Sequence, residues 1–361
     1  MQHTTLAGEP EVVVVGAGVT GCSCALTLAR AGLRVRLHET RAIASGASGR
    51  NGGFALRGGS MAYDDARREL GHERAKALWT LTERSLERLA ELAGDAFRLT
   101  GSLRLASDER ERDALRHEHA ALVEDGFAAE WREELPPPLA GRFYGGLYHP
   151  GDGALRPARW VRRLAGLAVS AGADLREHSR VESPDSVGGA QVVVATDGYT
   201  GGLVPFLDAA IRPTRGQVLT TVPLRERLFP CPHYARGGYD YWQQLPDGRL
   251  IIGGQRDSSL ETEWTTVEET TPAIQRRLED LVRSLVGDLP LITHRWAGLF
   301  GMSPDGRPLV GRVPGHEGVW AAAGYSGHGN VMGLACGDLV ARAILGESPP
   351  ELALFDPARF S

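Results

Sequence analysis

The chain has 361 residues, 42% of them hydrophobic and 24% charged, with a formal net charge of −5. This is the balance of an ordinary soluble globular protein with enough length for two packed units, and no run of about 18 apolar residues is there to span a bilayer. The acidic balance, without a long basic block carrying interleaved aromatics, argues against nucleic acid as a partner.

The opening MQHTTLAGEP is polar and has no charged segment leading into an apolar core, so no secretory signal is expected and a cytoplasmic location follows. Val12 to Val15 then reads as a strand buried on both faces, and Gly16, Gly18 and Gly21 follow at G-x-G-x-x-G spacing. An apolar-periodic helix runs on to Ala31. Gly16 permits the tight turn, Gly18 admits a pyrophosphate to the backbone beside Ala17 and Val19, and Gly21 lets the helix pack close to the strand. A second strand, Arg34 to Leu37, leads to Glu39, placed to accept hydrogen bonds from a ribose 2′-OH. A 2′-phosphate would be repelled there. The unit is expected to bind a dinucleotide other than NADP, through the free N–H groups of its helix N-terminus.

The next segment, TRAIASGASGRNGGFALRGG, is too rich in glycine and serine for helix or strand and is expected to be a loop that wraps a large cofactor. Helix is predicted over Asp64 to Leu92, a short strand in GSLRLAS, and a charged helix over Asp108 to Glu124 that ends before the Pro136 to Pro138 run. A helix with Pro157 in its first turn follows, then a strand around Asp174 to Glu177. AQVVVATDGYTGGL repeats the opening grammar, with a buried strand over Gln191 to Ala195 and a turn at Gly198. From Ile211 to Phe300 the alternation is strand-like, with strands at Arg215 to Val222, Tyr239 to Leu245 and Arg249 to Gly253, and one helix at Thr270 to Val286. GVWAAAGYSGHGNVMGLACGDLVARAIL gives a strand, a glycine turn and a closing helix.

Cys22, Cys24, Cys231 and Cys336 make no disulfide framework in a chain of this size. Cys22 and Cys24 point apart on one helix and read as small buried residues, and no metal-ligand spacing occurs, so no metal is expected.

With its fingerprint, GASGRNGG at Gly46 to Gly53, VVVATDGY at Val192 to Tyr199, and SPDGRPLVG with GVWAAAGYSGHG at the C-terminal end, the chain resembles the FAD-dependent amine and amino-acid oxidoreductases. These include D-amino-acid, glycine and sarcosine oxidases, and the A-S-G-R-N-G-G loop looks most like the gamma-glutamylputrescine oxidoreductase branch. The resemblance implies a mixed α/β (α+β) fold in which a Rossmann-type FAD-binding domain (1–60, 157–205 and 301–361) is interleaved with a strand-rich substrate domain (61–156 and 206–300). It implies Gly16, Ala17, Gly18, Val19 and Gly21 at the pyrophosphate, and Glu39, Thr40 and Arg41 toward the adenosine ribose. Ser45, Gly46, Ala47, Ser48, Arg50, Asn51, Gly52 and Gly53 would run past the pyrophosphate and flavin. Val181 would lie on the adenine side, and Thr196, Asp197 and Gly198 near the diphosphate. Gly301, Gly324, Gly327, His328, Gly329 and Asn330 would bring backbone N–H groups to the flavin, whose reduced form carries negative charge.

Some relatives attach flavin through a cysteine where this chain has Gly298, so noncovalent FAD is expected. Glycine and D-amino-acid oxidases hold the substrate carboxylate with an arginine where this chain has Phe300, and sarcosine oxidases activate oxygen with a lysine where it has Ile251. Lys76, on a predicted surface helix, is the only lysine among 40 basic residues. An arginine or histidine would have to supply that charge, and either oxygen or another acceptor takes the electrons.

Five residues are candidates for the chemistry. Tyr239 and Tyr241 alternate with Trp242 and form either an aromatic wall or the packing of a hairpin. Gln255 is a polar orienting group. Arg256 is a carboxylate anchor or, as the favoured plain alternative, half of a surface ion pair with Asp257. His328 is an acid, a base or a charge partner for reduced flavin, or else a solvated turn residue. The expected reaction is oxidation of the C–N bond of a primary or secondary amine, such as a polyamine derivative or N-substituted amino acid, to an imine by hydride transfer to flavin N5. The alternatives are a glycine- or sarcosine-type oxidase using Arg256, and a flavin-binding subunit without its own substrate. The oligomeric state is left open.

Overall fold

The computed structural model describes residues 8–361. Residues 1–7, the larger part of the stretch read as lacking a secretory signal, lie outside the described residues. Val12–Val15, whose four residues are all buried, is a central strand of a six-stranded sheet. Its order is Leu309–Arg312, Val319–Ala323, Gln191–Val194, Val12–Val15, Val35–His38 and Asp174–Arg176. All neighbours are parallel except the first pair. Helices Val19–Arg30, Pro157–Ser170 and Gly329–Ile344 cover it and share one apolar core. Continuous apolar strands are what two-sided coverage demands. A Cβ on Gly21 would stand 1.9 Å from the Gly16 carbonyl oxygen, so the close helix packing read from the fingerprint requires glycine there.

An eight-stranded sheet lies beside it, in the order Ile292–Met302, Arg212–Pro223, Arg249–Gly254, Asp240–Gln244, His233–Ala235, Ser102–Leu105, Gly146–His149 and Glu130–Arg132. Strands from two distant parts of the chain meet where His233–Ala235 runs parallel to Ser102–Leu105. One face buries Trp242, Leu250 and Ile252 against helix Pro272–Val286. The other face carries Tyr241, Tyr234 and Arg104 opposite one another on adjacent strands. Three short strands, Phe54–Ala55, Gly153–Leu155 and Phe97–Leu99, form a small third sheet between these bodies.

Several local expectations are corrected. The helix predicted over Asp64 to Leu92 is two helices, Tyr63–Leu70 and His72–Ala93, broken where Gly71 takes φ 84°. The glycine-serine segment is not all loop: Ala47–Arg50 makes one helical turn and Phe54–Ala55 pairs as a strand. Tyr239 precedes its strand, which starts at Asp240. All four cysteines are free and buried. Among the described residues no helix is long and apolar enough to cross a membrane, and no group of His, Cys, Asp and Glu is disposed to hold a metal.

Candidate active site

A single cavity of about 1090 Å³ runs from the parallel sheet to the antiparallel one. Sites for one small molecule span roughly 300–1,000 Å³, so this volume suits a large cofactor with a second ligand beside it.

At the parallel-sheet end, Gly16 holds φ 102°, and a Cβ there would meet the Ala195 carbonyl oxygen at 2.7 Å. The helix that follows has no side-chain cap and no acid in its first turn. The closing helix Gly329–Ile344 begins the same way, at His328. Two helix N-termini thus open on one cavity, and their positive dipole ends suit an anionic dinucleotide. Glu39 accepts N–H bonds from Ala17 at 3.1 Å and Arg41 at 2.9 Å, which fixes its carboxylate at the end of the second strand. Ser48 Oγ accepts from the Val19 N–H at 3.1 Å, tying the glycine-serine segment to the first helix. Asn51 and Asn330 exchange side-chain amide bonds of 3.2 and 3.1 Å and tie that segment to the last helix.

Asp197 has a different task from the one expected. Its carboxylate accepts N–H bonds from Gly324 at 2.8 Å, Gly301 at 3.0 Å and Tyr325 at 3.3 Å, so it clamps two turns and has little left for a diphosphate. Burial pushes its carboxyl above the usual range, and those backbone N–H groups oppose the shift.

Of the cofactor residues read from sequence, Gly16, Ala17, Gly18, Glu39, Thr40, Arg41, Gly46, Ala47, Ser48, Arg50, Asn51, Gly52, Val181, Thr196, Asp197, Gly198, Gly327, His328, Gly329 and Asn330 line the cavity. Val19, Gly21, Ser45, Gly53, Gly301 and Gly324 do not. They set the shape from behind: a Cβ on Gly53 would strike Gln243 Nε2 and the Leu155 carbonyl oxygen, both at 2.4 Å.

At the antiparallel-sheet end, Tyr239, Tyr241, Phe54 and Phe300 line the cavity with Arg256. Trp242, one residue on, turns into the core at 0% exposure. The strand therefore has both an aromatic wall and a packed face. The surface ion pair favoured for Arg256 and Asp257 does not exist: Asp257 pairs with Arg236. Gln255 takes the left-handed conformation, φ 62°, and the chain leaves the strand with its two charged neighbours apart. Arg256 instead lies over the rings of Tyr239 at 4.5 Å and Phe300 at 5.4 Å. No carboxylate comes within ion-pair distance of it among the described residues. The Phe300 position, which lacks the relatives' arginine, thus carries a ring under an arginine delivered by the turn that follows strand Arg249–Gly254.

Gln255 is not an orienting group at this cavity. Its Nε2 is spent on Asp240 at 2.5 Å, and it is absent from the lining. His328 lines the cavity, but burial, aided by the charges of Arg104 and Arg256, pushes its imidazole down to about 4. That shift favours the neutral imidazole and weighs against the role of charge partner for reduced flavin. Burial pushes the Tyr241 phenol up to about 12 despite Arg256, leaving a neutral donor. Ile251 lies off the lining, Gly298 lies on it, and Lys76 is exposed on helix His72–Ala93.

Sequence reasoning missed two groups that line the same cavity. Glu268 pairs with Arg41 at 2.5 Å and accepts from the Tyr199 hydroxyl. Trp79, Arg104, Glu118, His149 and Tyr234 gather at the far end. Arg41, Tyr199 and Arg104 stood in quoted stretches without being read together; strand pairing brings Arg104, Tyr234 and His149 side by side, two helices add Trp79 and Glu118, and Glu268 arrives on a loop.

A family model described as FAD dependent oxidoreductase matches residues 11–343. The chain is 30% identical to a Rhizobium meliloti protein named Probable oxidoreductase OrdL, across 94% of this chain and 84% of that one. It is 27% identical to the gamma-glutamylputrescine oxidoreductase of Escherichia coli, across 94% of this chain and 84% of that one. The solved structure of glycine oxidase from Geobacillus kaustophilus superposes with a TM-score of 0.79 at 24% identity, covering 98% of both chains.

Proposed function

The chain belongs to the family of FAD-dependent oxidoreductases, and from that premise we propose that it oxidises the C–N bond of an amine bearing a carboxylate, an N-substituted amino acid above all. The observation that carries this reading is Arg256, a guanidinium without a carboxylate partner that stacks on Tyr239 and Phe300 inside the cavity. Such a cation takes a substrate carboxylate through paired N–H bonds worth more than neutral ones.

FAD bound along the glycine cradle supplies the two-electron acceptor for the amine carbon. Tyr239, Tyr241 and Phe54 wall the substrate and exclude water, and Arg256 fixes its orientation. Neutral His328 leaves the amine free to enter unprotonated and can accept a hydrogen bond from it, so no strong protein base is required. Water then hydrolyses the imine. We assign the cofactor contacts to the lining residues named above, and the division of the chain at 60/61, 156/157, 205/206 and 300/301 to a cofactor half and a substrate half. The six-stranded sheet, built wholly from the cofactor half, and the eight-stranded sheet, built from the substrate half save Gly301 and Met302, support that division, which the pairing of Phe54–Ala55 with Gly153–Leu155 bridges. Four buried, free thiols favour a reducing, cytoplasmic compartment.

The test is an anaerobic absorbance titration of the purified holoprotein with amines, polyamine derivatives and small amino acids, followed by air. Bleaching by an N-substituted amino acid supports the reading. Bleaching by polyamine derivatives alone transfers it to amines without a carboxylate. No bleaching with FAD bound overturns it in favour of a flavin-binding subunit.

A further inference from the structure

Beyond the aromatic wall the cavity continues into a chamber that amine oxidation at the flavin does not require. Across the cavity face of the antiparallel sheet, Tyr241 pairs in register with Tyr234, and Tyr234 with Arg104. Adjacent strands lie about 4.8 Å apart, so the Arg104 backbone stands roughly 10 Å across the sheet from Tyr241. Helix Glu109–Glu124 brings Glu118 to this end, and helix His72–Ala93 brings Trp79.

The groups there are unusual in what they leave unused. Arg104 Nη1 meets Glu118 at 2.5 Å, while Nε and Nη2 have no protein acceptor. The Tyr234 hydroxyl has no partner either, and its ring lies 5.5 Å under the Arg104 guanidinium. Trp79 Nε1 and His149 Nδ1 are buried and unpaired, in side chains only 5% and 3% exposed. Buried polar groups are nearly always satisfied, and each one left open costs roughly 1–3 kcal/mol. Two such groups, Trp79 Nε1 and His149 Nδ1, stand beside a Tyr234 hydroxyl and Arg104 nitrogens that open on the cavity without a protein partner, and together they mark a place that a ligand completes.

The charge balance narrows what that ligand is. Arg104 is neutralised by Glu118, and the neighbouring Arg57 by Asp152 at 3.0 Å and Glu83 at 2.7 Å. A carboxylate would leave a net negative charge buried, and an ammonium would meet a wall of donors. An uncharged group rich in oxygen acceptors meets Arg104, Tyr234 and Trp79 without either penalty.

We propose that the chamber formed by Trp79, Arg104, His149 and Tyr234 is a distal substrate subsite that seats an uncharged oxygen-bearing end group, an amide carbonyl or hydroxyls. The substrate is then elongated: its amine is at the flavin, its carboxylate is at Arg256, and a chain reaches across the sheet to Arg104. This rests on the amine-oxidation reading above.

The test uses the holoenzyme and N-alkylglycines of equal chain length ending in methyl, carboxamide, hydroxyl, carboxylate or ammonium. In the wild type the carboxamide or hydroxyl chain is expected to exceed the methyl chain at least tenfold in kcat/KM, and their order tells amide from hydroxyl recognition. Tyr234→Phe, which keeps the ring shape, and Trp79→Phe, which removes the indole N–H at some loss of ring volume, should each shrink that ratio severalfold. A ratio near one in the wild type, a preference for a charged terminus, or a ratio unchanged in both variants overturns the subsite. If no amine is oxidised, the failure belongs to the reaction, and the subsite is read by equilibrium binding instead. The carboxamide compound must then perturb the flavin spectrum at lower concentration in the wild type than in Tyr234→Phe, and equal concentrations overturn the proposal.

Discussion

Asp197 Oδ1 accepts the Gly324 N–H at 2.8 Å while its other oxygen accepts the Gly301 N–H at 3.0 Å. One buried carboxylate thus joins the end of the long strand Ile292–Met302 to the turn before the last helix, and both edges of the cavity depend on it. Asp197→Ala strands these buried donors at roughly 1–3 kcal/mol each. The expected outcome is a fall in melting temperature of several degrees and at least tenfold weaker FAD retention, checked by the absorbance ratio at 450 and 280 nm after gel filtration. Asp197→Asn keeps an acceptor and should lose less on both counts.

Arg256 offers a sharper test of chemistry. Replacing it with Gln removes the charge from the carboxylate contact, worth roughly 1.5–3 kcal/mol. KM for an N-substituted amino acid should rise by about 10- to 150-fold, with a much smaller change for an amine lacking a carboxylate. Equal effects on the two substrates would show that Arg256 packs the ring pair and does not hold substrate.

Oxygen reactivity, if present, draws its positive charge from a residue other than lysine. The only lysine, Lys76, is exposed on its helix, and no lysine lines the cavity. Lysine-selective acylation or Lys76→Ala should leave the rate of flavin reoxidation by air unchanged within twofold. A large loss in stopped-flow reoxidation would place that side chain at the flavin and contradict the fold.

His233 makes stability fall in acid. It is 1% exposed, stacks on Trp242 at 5.5 Å, and burial pushes its imidazole down to about 4. The unfolded chain, with the ordinary value near 6.5, binds the proton first as pH falls, so protonation favours unfolding. The stability is fully present above about pH 6.5 and declines toward pH 4, by roughly 3 kcal/mol for this one group. Melting curves from pH 7.5 to 4.5 should show the slope, and His233→Gln should flatten it.

The sheet margin where the resemblance puts adenine is thin. Asp174–Arg176 is a three-residue strand at the sheet margin, and only the short turn Pro184–Ser186 intervenes before Gln191. Purified protein should lose part of its FAD on dilution, and added FAD at a hundredfold its Kd should raise stability by about 2.7 kcal/mol. Full occupancy after extensive dialysis would count against this.

Where spacing alone fixes geometry, the residues were readable in order. Four valines, three glycines and an acid after the next strand define the cradle, because a buried parallel strand, a tight turn and close helix packing each admit few residue types. The resemblance carried in the motifs likewise led to the family. The near end of the substrate cavity was half legible: Tyr239, Tyr241 and Arg256 stand close in sequence, but the left-handed turn at Gln255 decided that Arg256 stacks inward while Asp257 leaves for Arg236.

The surroundings of His328 and the grouping of Trp79, Arg104, His149 and Tyr234 appear only in the tertiary structure. His328 looked free to carry charge at neutral pH, yet burial, with Arg104 from a strand and Arg256 from a turn far from it in sequence, pushes its imidazole down. Tyr234 and Arg104, 130 positions apart, become neighbours because Ser102–Leu105 pairs with His233–Ala235. Local pattern determines which strands and helices can form and which face they bury. Nonlocal pairing decides which unpaired groups share one enclosed volume, because a sheet can set any two of its strands side by side and their separation along the chain leaves no local trace.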